Sequence, residues 1–151
     1  MTIPTIRPMN RVYLAGRFSR FEELNQYRIE LEAMGITVTS RWLLGGHEWT
    51  GTPEEGIPHE VQARFAHEDR TDIMLADTVI CFTEQSGAGP ARGGRHVEAG
   101  MAYAWGKQII VVGGIENVFY ALPEMIHAES WDQVKAMIQQ SGVSLKRIMS
   151  L

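Results

Sequence analysis

Two apolar runs constrain this chain more than any other feature. TVICF, beginning at Thr78, and QIIVVG, Gln108 to Gly113, carry apolar residues on consecutive positions rather than on alternate ones. A strand that is apolar on both faces must be covered on both faces. Between the two runs lies RHVEAGMAYAW, which reads as a helix, and strands joined through a helix run parallel.

The rest of the chain repeats that rhythm. RVYLAG is a short apolar strand stopped by Gly16. Phe21, Leu24, Tyr27 or Arg28, Leu31 and Met34 then fall in steps of three and four along one helical face, with Gly35 as its stop. ITVTS, residues 36 to 40, is β-branched and reads as a strand. A helix is expected over 59–75, a short strand near Met125 to Ala128, and a last helix from Trp131 to Gln140. About five strands and five helices in 151 residues predict one domain, 1–151, with an α/β, flavodoxin-like fold. Its doubly wound, five-stranded parallel sheet would have helices on both faces.

In such sheets ligands bind beyond the C-terminal ends of the strands, where the strand order reverses. That rule singles out four loops: GRFSR, with Gly16, Arg17 and Phe18; the irregular segment 44–58, with His47 and Trp49; EQSGAGPARGG; and GGIENVFY. They are expected to converge. The glycine-rich loop is not a dinucleotide fingerprint, since GAGPARG is out of register for GxGxxG, and no GK[ST] follows to make a P-loop. What it can form is a phosphate or ribose cradle of backbone amides at a helix N-terminus. Ser86, Gly93 and Gly94 would build it, with Arg92 or Arg95 beside them.

Glu98 is the residue that most needs explaining. On a surface helix it would pair with Arg95 across one turn and contribute little. Its neighbours Val97, Ala99, Gly100, Met101 and Ala102 instead describe a helix buried on most sides and close to the sheet. A carboxylate in such a place suggests function. Asp69, Asp72 and Asp77 form a second acidic group, of which at least one is a solvated or capping residue. The five histidines show no ligand spacing, so no metal is expected, and no cofactor is expected either. Cys81, mid-strand in TVICF, reads as a small buried hydrophobe.

Composition narrows the partners. Fourteen basic against eighteen acidic residues give a net charge of -4, which argues against long nucleic acid. No apolar run approaches the roughly 18 residues that span a bilayer, so no membrane partner is expected. MTIPTIRPMN lacks the apolar core of a signal peptide, and cytoplasm is the expected compartment.

YLAG (Tyr13 to Gly16), D-x-x-x-I-x-x-A-D (Asp69, Ile73, Ala76, Asp77) and G-R-H-V-E-A-G-M-A-Y-A (Gly94 to Ala104) together resemble the nucleoside 2-deoxyribosyltransferase superfamily. That superfamily includes 2'-deoxynucleoside 5'-phosphate N-hydrolases, and the likeness covers roughly residues 11 to 128. It implies a flavodoxin-like fold and cleavage of the N-glycosidic bond of a nucleoside or nucleotide, with transfer to water or to another base. It also implies roles: Glu98 as nucleophile at the anomeric carbon, Asp69 at the nucleobase with Asp72 as its rival, and Tyr13 holding the nucleophile. Family members complete their sites in a homodimer, and the segment Glu116 to Phe119, Asn117 above all, would be the donated piece. The connection from Ser86 to Glu98 is longer here than in the family's hydrolases. The helix N-terminus is expected to keep Glu98 ionised near neutral pH. Two other readings stand beside this one: a phosphoribohydrolase of the cytokinin-activating type, on the weaker match GG-R-H-V-E, and a nucleotide sensor that does no chemistry.

Overall fold

A computed structural model describes residues 2–45, 47, 56–85 and 92–149, with side chains as far as 142. Five strands form one parallel sheet in the order β2-β1-β3-β4-β5. They are β1 (Arg11–Ala15), β2 (Thr37–Val38), β3 (Thr78–Phe82), β4 (Gln108–Val112) and β5 (Ile126–Ala128). Among the described residues four α-helices connect or close them: α1 (Phe21–Ala33), α2 (His59–Leu75), α3 (Gly94–Ala104) and α4 (Trp131–Met149). This is the flavodoxin-like arrangement expected from the apolar runs. Every residue of β3 and β4 is buried, as is β1 after its first residue. Each fully buried Val, Leu or Ile there contributes about 1.5–3 kcal/mol by leaving water.

Two elements differ from expectation. ITVTS gives only two strand residues, because the Ser40 hydroxyl accepts the Leu14 N–H at 2.7 Å and ends the ladder. The chain then turns into a 3-10 helix, Arg41–Leu44. The last helix does not stop at Gln140. Ser141 bonds back to the Ile138 carbonyl within the helix, and one interior glycine costs only about 1 kcal/mol. None of the described helices is long and apolar enough to cross a membrane.

The two ends of the sheet are built differently. At the N-terminal end Asp77 accepts the N–H groups of Asn10 and Arg11 and the Thr78 hydroxyl. It is a structural anchor. At the C-terminal end, side chains tie loop to loop. Arg20 grips Glu23 and reaches the Thr83 carbonyl and Glu84, Thr83 Oγ1 donates to the Gly114 carbonyl, and Glu116 accepts the Glu84 N–H.

Gly113 lies inside that network with φ at +120°, where a Cβ would stand 2.5 Å from Thr83 Oγ1. Gly113→Ala should therefore destabilise the fold by about 2–4 kcal/mol, from strain plus overpacking. Urea unfolding would measure it, and a loss under about 0.5 kcal/mol would contradict this account.

Candidate active site

β1 and β3 lie side by side, yet the chain leaves β1 for β2 on one flank and only later returns to β3 on the other. Their C-terminal ends mark the reversal of strand order, where an open α/β sheet leaves a crevice. A cleft of about 370 Å³ lies there. Tyr13 rises into it from β1, Asp69 from α2 and Glu98 from α3, and these three sequence candidates are brought together. Gly16, Arg17 and Phe18 line one side; Arg92, Gly93, Gly94 and Arg95 line the other. Gly16 has a local reason to lack a side chain, since a Cβ would meet Leu24 at 2.8 Å. A neighbouring hollow of about 520 Å³ shares Phe18, Trp42 and His47 with the cleft but holds none of the three candidates.

The Tyr13 hydroxyl donates to Glu98 Oε2. The tyrosine ring is fully buried within β1, so the strand fixes where its oxygen stands. Burial raises the Tyr13 pKa well above its usual value, and Glu98 and then Asp69 raise it further. The hydroxyl therefore stays a donor throughout the physiological range. Glu98 is pushed up to about 8, first by burial and second by the Asp69 charge; the Tyr13 hydrogen bond opposes both.

That direction corrects the expectation that the helix terminus would keep Glu98 ionised. Glu98 is the fifth residue of α3, beyond the first turn where the dipole acts, and loss of water outweighs what remains of it. The alternative pairing of Glu98 with Arg95 is not formed either. The Arg95 guanidinium engages Glu116 instead, with its Nε buried and without a partner. Arg95 thus lines the cleft while committed to a loop contact.

Asp69 and Asp72 are told apart by their partners. Asp72 is buried and accepts both the backbone N–H and the side-chain Nε of Arg41, which holds the Arg41–Leu44 turn in place. Asp69 faces the cleft. Asn117 does not line it: its side chain accepts the Phe119 N–H and borders a separate apolar groove. Ser86 and Trp49 lie outside the described residues. Cys81 is buried in β3, and burial pushes its thiol far up.

Three cleft or near-cleft residues have partners here that the sequence reading did not assign to them. His47 stands 3.1 Å from Asp69 and stacks on Phe65, with ring centroids 4.4 Å apart. Trp42 is buried, with its indole N–H donating to the Leu14 carbonyl at 3.0 Å. Glu116 gathers Glu84, Arg95 and His96. No spacing rule marks such residues, because each meets its partner only through the tertiary fold. Among the described residues no cluster of three metal-ligating side chains occurs.

The fold is shared with solved proteins. A 2-deoxyribosyltransferase from Bacillus psychrosaccharolyticus superposes with a TM-score of 0.63 at 20% identity, covering 82% of this chain and 89% of its own. The CMP N-glycosidase BcmB of Clostridium botulinum gives 0.52 at 19% identity, covering 87% and 98%. Both are proteins of the kind the motifs resemble, and the resemblance holds at the level of the fold. No protein-family model and no curated protein sequence matches the chain.

A stability prediction follows from the raised Glu98. Its folded pKa, about 8, lies above the ordinary 4.5, so the folded state keeps a proton that the unfolded state has released. Wild-type stability should then fall as pH rises from about 4.5 to 8 and level off beyond. Glu98→Gln keeps an acceptor for Tyr13 and has no proton to lose. It should gain on wild type across that window, reaching on the order of 2–5 kcal/mol above pH 8. Urea unfolding between pH 5 and 9 reads this; a difference independent of pH would refute it.

Proposed function

We propose that this chain cleaves the N-glycosidic bond of a (deoxy)nucleoside or nucleoside 5'-monophosphate through a covalent glycosyl-glutamate on Glu98, passing the sugar to water or to another base. The observation that carries the reading is the convergence of Tyr13, Glu98 and Asp69 on one cleft. A nucleotide sensor has no need of a buried carboxylate held by a tyrosine. A phosphoribohydrolase would share the glutamate, but the GG-R-H-V-E match remains its only support.

Departure of a base from a sugar builds positive charge at C1' and negative charge on the base. A carboxylate beneath the ring can stabilise the first and trap it; an acid at the base can relieve the second. Two carboxylates facing each other in a sheltered cleft therefore need one proton between them. In the free protein Glu98 holds it near neutral pH. With the proton on Asp69 instead, Glu98 attacks C1', the C1'–N bond breaks with its electron pair going to the base, and Asp69 protonates the base nitrogen. Water then adds at C1', frees Glu98 and returns a proton to Asp69. Tyr13 steadies the nucleophile in both steps. The amide-rich start of α3, with Gly93, Gly94 and Arg92, suits the sugar or its phosphate, and Arg17 and Phe18 suit the opposite wall.

Purified protein incubated with a panel of nucleosides and monophosphates should release free base. Glu98→Ala should lower release by about 10³-fold or more. For ordinary bases kcat/KM should fall as pH rises through about 8, when the shared proton is lost. A 2-fluoro sugar substrate should leave a glycosyl ester on Glu98 visible by mass spectrometry. No base release from any substrate, or full activity in Glu98→Ala, sinks the reading.

We also propose that two copies pair through α3. Val97 and Phe119 are exposed beside an apolar groove of about 540 Å³ that includes Gly100, and a Cβ on Gly100 would meet nothing. A projecting aromatic and a hollow on one face are self-complementary, as a two-fold interface requires. Light scattering should give twice the chain mass for wild type and one chain mass for Val97→Asp. A monomeric wild type at micromolar concentration rules the pairing out.

A further inference from the structure

Beyond the three residues assigned above, the cleft holds one contact that the proposed chemistry has not used. His47 Nε2 and Asp69 Oδ1 are 3.1 Å apart. Both atoms are buried, and neither has a well-aligned hydrogen-bond partner, the other included. Leaving two such groups unpaired and away from water is costly to the fold. The fold nonetheless holds the imidazole firmly. Its ring lies nearly parallel to Phe65, at 20° and 4.4 Å, and Phe65 precedes Asp69 by four residues on α2, so both project from the same helical face. Glu68 Oε2 lies at 4.0 Å on the same helix, and Glu98 lies across the cleft. Hydrogen bonds in a catalytic site are often misaligned without substrate and tighten once it is bound.

We propose that His47 is the positioning residue for the base-side acid: its Nε2–H takes Asp69 Oδ1, leaving Oδ2 to carry the proton to the departing nucleobase. The inference rests on the N-glycosidic reading above and adds to it the selection of substrates by leaving group. An ordinary base departs as an anion unless it is protonated, and for it Asp69 must be aimed. A 7-methylguanine nucleotide is already cationic in its base and departs neutral, so it needs no proton.

His47→Phe keeps the stack on Phe65 and removes the donor; His47→Gln keeps a donor. With ordinary substrates His47→Phe should lose at least tenfold in kcat, with KM changed less than threefold, and His47→Gln should recover most of it. With the 7-methylguanine nucleotide the His47→Phe loss should stay under threefold. Equal losses on both substrates would make His47 merely structural and overturn the proposal, as would activity within twofold of wild type. A readout independent of turnover is the His47 ring N–H proton in nitrogen-15 NMR spectra. It should be slow to exchange and shifted downfield in wild type and vanish in Asp69→Ala. Its absence from wild type, or its survival in Asp69→Ala, overturns the proposal even if the protein proves active. If wild type releases no base, the functional reading fails, and this resonance alone decides whether His47 holds Asp69.

Discussion

A carboxylate held away from water beside a tyrosine hydroxyl is the constraint around which the C-terminal end of the sheet is organised. Burial of an ionised acid is among the more costly things a small domain can do, and a group so placed takes up a proton instead. Glu98 does so, with its pKa pushed up to about 8. The fold can tolerate that cost because the rest of the sheet is apolar through and through. Three central strands lie between two helical layers, and apart from Tyr13 their polar residues stand only at the strand starts. The same arrangement makes Tyr13 a fixed donor: its backbone pairs with β3 opposite Val79 and its ring is fully buried, so its hydroxyl is held beside Glu98.

Most of the charge at this edge serves to hold loops. Arg20, Glu84, Glu116 and Arg95 form a chain of contacts from the β1 loop through the β3 loop to the β4 loop. This matters for the site because Arg95 lies one turn before Glu98 on α3 and is turned to Glu116 instead. Burial and then the Asp69 charge raise the proton affinity of Glu98, and the Tyr13 hydrogen bond opposes them. Arg41 plays the corresponding part on α2: it takes Asp72, which leaves Asp69 as the acid that faces the cleft. Two neighbouring acids on one helix thereby acquire different roles through the placement of a single arginine.

These contacts also explain how far the sequence could be read. The sheet was legible because consecutive apolar residues admit few arrangements, and the short RVYLA, TVICF and QIIVV runs became β1, β3 and β4 within a residue or two. The edge strand was not, because its end is set by one long-range hydrogen bond from Leu14 to Ser40. Glu98 and Tyr13 stood out by motif, but the ionisation of Glu98 was misjudged. Its position on the helix was visible in the sequence, whereas the burial that governs it comes from elements far away in the chain. The motif favoured Asp69 over Asp72, but what ties Asp72 down is Arg41, thirty-one residues away in the chain.

His47 marks the limit of such reading most sharply. It lies in a glycine-rich stretch with no motif, and its partners Phe65 and Asp69 are recognisable only once α2 is folded and one of its faces is turned to the cleft. A histidine on a loop is also the kind of residue a site can acquire cheaply, since loops change without disturbing the core. The division of labour in this cleft follows from that. In the proposed reaction the nucleophile and its tyrosine come from the helix and strand that the sheet holds rigid, where a misplacement of 1 Å would be felt in the chemistry. The group proposed to aim the base-side acid comes instead from the loop after Arg41–Leu44, 3.1 Å from Asp69.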